Sequence, residues 1–308
     1  MDNPFFNQLS SCSTLSISVN EQLYGTAPKT NLWVVVEYTN PFGSKALIES
    51  LIPERVQSHL TNLQKIVPGT RLVLIRRGQP RTDNQIAVFA SISSADQQYL
   101  YEFHLSNYDE ILSLDLQSLI TGKIDIRENI RVDPIFLVCT NGKRDPCCSR
   151  LGYPVYQAMA SQQGDSVWQT SHVGGHRFAA NVICLPHGIY YGRVNPENAV
   201  SLMSDYQNQR LTPYLYRGRG CYESQVQAAE YFFMESTSIE SIDALQLVGS
   251  EEVGENRWEI KFLSRADKTR YKFIVAAEKS AFEIFESCSK PDKSSSRLQY
   301  HLVEWSKA

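Results

Sequence analysis

One order of segments occurs twice along this chain, and it limits the fold more than any other feature. In the first occurrence, Leu32 to Tyr38 (LWVVVEY) is a short apolar, β-branched run that reads as a strand. The turn-rich stretch Thr39 to Gly43 follows, and then a helical spacing of apolar residues through Leu60. Arg71 to Ile75 reads as the next strand, and Ile86 to Ile92 with Tyr99 to Leu105 as a hairpin about the polar turn Ser93 to Gln98. In the second occurrence, Pro134 to Cys139 (PIFLVC) reads as a strand, Thr140 to Pro146 as a loop, Ser149 to Gln162 as a helix and Val167 to Thr170 as a short strand. Asn181 to Leu185 and Ile189 to Val194 then form a hairpin around Pro186-His187-Gly188. Both halves share the order β-α-β-β-β, which predicts two successive α/β halves, although their lengths match better than their residues do.

Between the halves, Tyr108 to Arg131 carries apolar residues at Ile111, Leu112, Leu114, Leu116 and Leu119, the spacing of a linking helical segment. Gln225 to Met234 is a further helix. From Leu245 the chain changes to β-type runs (Trp258 to Leu263, Arg270 to Ala276, Leu298 to Trp305) and reads as a small appended β module with no evident chemistry.

With 308 residues and a net charge of −3, the chain has no bulk field that argues for nucleic acid or an anionic membrane surface. The start, Met1 to Asn7, has an acidic residue where a signal peptide carries positive charge, and the apolar runs are too short to cross a bilayer. The seven cysteines are odd in number and scattered, which fits a reducing cytoplasm better than a disulfide framework.

Three of those cysteines fall within ten residues: Cys139 ends the second-half strand, and Cys147-Cys148 close the loop just before a helix, where backbone N–H groups favour anionic ligands. Farther on, His172 and His176 stand four apart, but Gly174 and Gly175 between them make a tight loop a better reading than a helix face. Such a loop lets the backbone approach a bulky ligand closely. Two thiolates and two imidazoles suit tetrahedral zinc or an iron–sulfur centre. Zinc-finger cysteines stand two to four apart, whereas Cys139 and Cys148 have eight residues between them, a loop length that suits the larger cluster. Spacing alone permits either Cys147 or Cys148 as the second thiolate. Cys12, Cys184, Cys221 and Cys288 read as small core residues.

These motifs, VCTNGKRDPCCSRLG at Val138 to Gly152 and SHVGGHRFAAN at Ser171 to Asn181, resemble the sucrase/ferredoxin-like family of thioredoxin-like [2Fe–2S] proteins. The resemblance is strongest over about 132–231. It implies an α/β (α+β) fold of tandem thioredoxin-like halves. Residues 1–130 would form a half without cluster ligands, 131–240 the ferredoxin-like domain, and 241–308 the C-terminal β module. It also implies a [2Fe–2S] cluster held by Cys139, Cys148, His172 and His176. Cys148 is preferred over Cys147 because it alone stands three residues after Asp145 of the Arg144-Asp145 pair. Gly174, Gly175 and Arg177 would lie around the cluster, Arg177 either guiding a partner or simply solvated.

The function so implied is one-electron transfer, coupled to protons through the histidines, with a redox partner protein such as a flavin-dependent reductase. The potential would then fall as pH rises. Three alternatives accompany this expectation: a structural zinc protein using the same ligands, a sucrase, for which no motif brings two carboxylates together, and a thiol redox enzyme using Cys147-Cys148 or the thioredoxin-like fold, for which the Cys-x-x-Cys spacing is absent.

Overall fold

In the computed structural model, which describes residues 11–78, 84–124 and 126–307, the repeated order builds one continuous sheet. The first half comprises α1 (Cys12–Ser18), β1 (Leu32–Glu37), α2 (Glu54–Ile66), β2 (Thr70–Arg76), β3 (Ile86–Ser93) and β4 (Gln98–Leu105). A linker containing α3 (Leu116–Ile120) leads to β5 (Ile135–Cys139), α4 (Pro146–Ala160), β6 (Val167–Thr170), β7 (Val182–Leu185), β8 (Ile189–Tyr191), α5 (Pro196–Gln207) and β9 (Tyr216–Arg219). In each half the first strand pairs in parallel with the second and antiparallel with the third: β1 with β2 and β3, β5 with β6 and β7. The nine-stranded order β4-β3-β1-β2-β6-β5-β7-β8-β9 therefore sets two like blocks back to back. They join where β2 and β6 run antiparallel, with Ile75 opposite Thr170 and Arg76 opposite Gln169. The fold is mixed α/β, with two like halves in tandem. Met1 to Asn7 lie outside the described residues.

The first strands are almost wholly apolar, β1 up to its terminal Glu37, because both faces of the sheet are covered. In β1, Leu32, Val34 and Val36 face α2 and its neighbours, while Trp33 and Val35 face the opposite way. In β5, Phe136 and Val138 join the core under α4 and α5, while Ile135, Leu137 and Cys139 share a second core with Trp33, Val35 and Trp168. This shared core packs the two halves together, and Cys139 sits at its edge.

Helix boundaries depart from the sequence reading where caps and prolines act. The stretch expected to be helical through Leu60 stays in turns until Pro53, and α2 starts at Glu54. The linking segment is not one helix: a 3-10 turn over Tyr108–Ser113 ends at extended Leu114, and Asp115 caps the short α3. The helix expected from Ser149 begins at Pro146, because Asp145 caps it and Pro146 suits its first position. Cys147 and Cys148 thus belong to the first turn of α4 rather than to a loop.

After α6 (Ser224–Thr237), the C-terminal module is an antiparallel meander of β10 (Leu245–Gly254), β11 (Arg257–Ser264), β12 (Arg270–Phe285) and β13 (Ser294–Lys307). It packs on α6, where the Phe233 and Tyr271 rings meet edge to face at 5.1 Å. Its Tyr300 ring fills the space beside Gly25, where a Cβ would come within 2.7 Å.

His187, in the β7–β8 hairpin, illustrates how the fold holds a neutral imidazole. The Tyr206 hydroxyl accepts from the His187 backbone N–H (3.5 Å), which leaves its own proton for Nδ1 at 2.6 Å. Burial, reinforced by Arg219, pushes the His187 pKa down to about 4 from 6.5. Between those values the unfolded chain binds a proton that the folded chain refuses, so stability present above pH 6.5 is lost as pH falls toward 4. Urea unfolding midpoints are expected to fall across this window, and less steeply in His187→Gln. Equal slopes in the two proteins would show that His187 does not carry the effect.

Candidate metal centre

The centre is built where β5 ends and α4 begins. Asp145 has extended backbone (φ −157°, ψ 129°) and accepts a hydrogen bond from the Cys147 N–H at 2.9 Å. The loop before it is ordered by buried Asn141, whose side chain donates to the Gly43 carbonyl (3.0 Å) and accepts from the Arg144 N–H (3.3 Å). Gly152 lets α4 lie against the strand end, since a Cβ there would meet the Cys139 carbonyl oxygen at 2.1 Å. Cys148 consequently faces Cys139, and both thiols are buried.

The loop 172–176 closes over them. Its shape is imposed by side chains from elsewhere: Arg71 donates to the Val173 carbonyl (2.8 Å), Arg217 to Gly174 (3.3 Å) and Asn181 to Gly175 (2.8 Å). Both glycines have left-handed backbone (φ +96° and +74°), and a Cβ would strike Pro28 at Gly174 and the Arg217 guanidinium at Gly175. The space beside these glycines is thus occupied by Pro28 and Arg217. Arg217 is fully buried and held by the Thr26 hydroxyl and carbonyl and by Asn181 Oδ1 (2.7 Å).

Ligand-type atoms of Cys139, Cys148 and His172 lie within 4.8 Å of one another, with His172 Nδ1 4.0 Å from the Cys148 sulfur. The His176 ring stacks on His172 at 4.6 Å and 24°. Nδ1 of His176 is buried and has no hydrogen-bond partner among the described residues. Cys147, one residue before Cys148, turns the other way and meets Cys12, Asp145 and Cys288. Arg177 is neither solvated nor aimed at the thiols: it pairs with buried Glu21 (2.8 Å), approaches Glu286 (3.7 Å) and lies over the Phe178 ring (4.3 Å). His172 lines two hollows, of about 450 and 460 Å³, the first also bounded by His176, Arg144, Lys290 and Lys293.

The electrostatics suit a cation-binding donor set. Cys148 donates a hydrogen bond to Cys139, which holds the Cys139 thiol well below its usual range against the opposing effect of burial; the same bond, with burial, pushes Cys148 up. The two sulfurs are thus pushed in opposite directions by their contact, and a metal ion would take the place of thiol protons there. Burial, with His172 adding to it, lowers His176 to about 4, so its ring is neutral and keeps a lone pair for a metal.

The sequence reading did not find Arg71, Asn181, Arg217 or Gly152. None has a ligand's chemistry, and Arg71 and Arg217 act from segments distant in sequence, while Asn181 reaches back six residues to Gly175. Gly152 alone left a signal, as a glycine inside an otherwise helical run.

The sucrase/ferredoxin-like family model matches residues 23–218. The chain belongs to that family. Among curated proteins, it is 32% identical over 98 residues to altered inheritance of mitochondria protein 32 of Meyerozyma guilliermondii, covering 28% of this chain and 34% of that one. The protein of the same name from Debaryomyces hansenii is 31% identical over 107 residues, covering 31% and 39%. The Saccharomyces kudriavzevii protein of that name is 30% identical over 96 residues, covering 27% and 31%. The family member thus spans about a third of the length of these relatives. A cysteine-to-serine variant of the thioredoxin-like [2Fe–2S] ferredoxin from Aquifex aeolicus aligns at 22% identity over 24% of this chain and 87% of its own, with a TM-score of 0.22, too low to carry an argument.

These findings correct the functional expectation drawn from the sequence. The curated relatives are named for altered inheritance of mitochondria and not as electron carriers, so one-electron transfer gives way as the function of this family member. No helix of the described residues is long and apolar enough to cross a membrane.

The loop 172–176 yields a prediction. Gly175→Ala, which combines φ +74° with a contact at 2.5 Å to Arg217, is expected to lower stability by about 1–3 kcal/mol. Gly249→Ala, whose Cβ would have no neighbour within 4 Å, should be close to neutral. Denaturant unfolding of the two variants checks this.

Proposed function

We propose that this sucrase/ferredoxin-like protein is an iron–sulfur protein in which Cys139, Cys148, His172 and His176 hold a [2Fe–2S] cluster. The observation that carries the reading is the buried His176 Nδ1 without a partner, stacked on a histidine that already stands within 4.0 Å of the Cys148 sulfur. A buried polar atom left unpaired costs about 1–3 kcal/mol, and a metal–nitrogen bond would remove that cost. Two thiolates with two imidazoles are a donor set that [2Fe–2S] centres accept.

When bound, the cluster supplies metal–ligand bonds that tie β5, α4 and the 172–176 loop together. The protein's own part is positional. Asp145 fixes the first turn of α4, Gly152 admits the helix to the strand end, and Arg71, Arg217 and Asn181 hold the histidine loop from behind. The relatives are named for altered inheritance of mitochondria. Seven free cysteines fit a reducing compartment.

Anaerobic purification followed by iron, sulfide and visible-absorption measurements tests the proposal. A coloured protein with about two irons and two sulfides per chain, the [2Fe–2S] stoichiometry, is expected. Cys148→Ser and His176→Ala should lose the colour, while Cys147→Ser should retain it. Protein that stays colourless and iron-free after anaerobic reconstitution overturns the reading, and loss of colour in Cys147→Ser alone overturns the ligand assignment.

A further inference from the structure

Behind the first centre lies a second group of thiols that belongs to neither half alone. Cys147 leaves α4 on the side away from Cys148, Cys12 arrives on α1, and Cys288 comes from the turn between β12 and β13. The Cys147 sulfur is 3.6 Å from that of Cys12 and 3.4 Å from that of Cys288. With a carboxylate oxygen of Asp145, all the donor atoms lie within 4.8 Å of one another. Cys12, Cys147 and Asp145 are buried, and Cys288 is half-exposed, which leaves a way in.

Several features distinguish this group from a chance meeting of core thiols. A tetrahedral metal with bonds of about 2.3 Å to sulfur sets its sulfurs about 3.8 Å apart, close to the spacings found here. A disulfide needs about 2.05 Å and would leave the third thiol unused. Donors also point at the sulfurs: the Cys12 N–H at Cys288 (3.2 Å) and the Ser13 hydroxyl at Cys147 (3.3 Å), as they do around thiolate ligands of metals. Asp145 orders both approaching segments, its Oδ2 accepting from the Cys288 N–H (2.8 Å) and the Ser287 hydroxyl (3.0 Å). Its Oδ1 accepts from the Cys147 N–H (2.9 Å) and from the Cys12 thiol (3.8 Å), and loss of that thiol proton on metal binding frees a lone pair for a fourth bond.

We propose that Cys12, Cys147 and Cys288, with Asp145 as fourth ligand, form a separate site for one thiophilic d¹⁰ cation, zinc(II) or copper(I). Binding involves no oxidation: the three thiols release their protons to solvent as the metal–sulfur bonds form. The ion clips α1 and the β12–β13 turn onto the first turn of α4, closing the N- and C-terminal segments over the back of the first centre.

The test uses the reduced full-length chain, titrated with zinc(II) against a chromophoric chelator and, anaerobically, with copper(I) against a copper(I) chelator. For one of the two metals, Cys12→Ser and Cys288→Ser are each expected to bind about one equivalent less than the unsubstituted chain, and the metal that shows the loss is the site's own. Cys221→Ser should bind as the unsubstituted chain does. Because the readout is a difference between variants, it is independent of what Cys139, Cys148 and the histidines hold. A circular dichroism spectrum and a urea unfolding transition like those of the unsubstituted chain confirm that Cys288→Ser, a replacement in a half-exposed turn, is folded. Unaltered stoichiometry of both metals in Cys12→Ser and Cys288→Ser, or a disulfide from Cys147 to either residue in protein kept under reductant, overturns the proposal.

Discussion

Asp145 accepts from the N–H of Cys147 in its own helix and from the hydroxyl of Ser287 and the N–H of Cys288 in the C-terminal module. One buried carboxylate thereby sets the first turn of α4 and holds a loop from the far end of the chain against it. Burial alone would raise its pKa, but these donors, with the Cys147 and Cys288 N–H groups foremost, bring it below the usual carboxylate value. The carboxylate is therefore charged at neutral pH and retains its full capacity as a cap. An α-helix turns about 100° per residue, so fixing this turn sends consecutive cysteines to different sides. Cys148 goes to the strand end and the histidines, Cys147 to the chain termini.

The two halves show why this chemistry appears once. Both end their first strand at a loop leading to a helix, but the first half fills that position with structure. Glu37, at the end of β1, accepts from the Ala87 N–H at 2.9 Å, and its carbonyl accepts from the Tyr108 hydroxyl. In the second half the corresponding strand end is Cys139, and the helix that follows starts close enough, across Gly152, for a second thiol to face it. The same sheet order thus supports a covered first half and a ligand-bearing second half. The difference lies in the strand end and in how soon the helix begins: Pro146 opens α4 shortly after β5, whereas α2 waits until Glu54.

The sheet was legible because its signal is local and periodic. Runs such as LWVVVEY and PIFLVC are mostly apolar because both of their faces are covered, and their repetition with a helix and a hairpin after each carried the order of elements; the joining of the halves through β2 and β6 was not legible. The candidate donors Cys139, Cys148, His172 and His176 stood out for a different reason: thiols and imidazoles are chemically distinctive, and few are present. What brings them together was not legible. Arg217 reads as an ordinary cation in a strand, yet it is fully buried and shapes the histidine loop from the opposite face. Cys12 and Cys288 read as isolated small residues, because their neighbour in space, Cys147, is far from both in sequence. The C-terminal module read as free of chemistry for the same reason, its one relevant side chain lying in a polar turn.

The placement of cations near this end of the molecule follows from what the thiols need. Buried thiolates are costly unless charge or donors compensate them, and a helix N-terminus contributes only about 0.3–1 kcal/mol, rising to about 2 in favourable geometry. Arg177 is taken up by Glu21, and Arg217 is spent on carbonyls of the Thr26 and Gly174 segments. Neither is free to neutralise sulfur. Without metal, each thiol group can meet the shortage by retaining protons. A proton bridges only one pair of donors at a time, such as the Cys147 and Cys288 sulfurs 3.4 Å apart or the Cys148 sulfur and His172 Nδ1 4.0 Å apart, so it serves a crowded set only in part. A bound cation would satisfy all of them at once, and this need is what the two proposed sites, one on each side of α4, have in common.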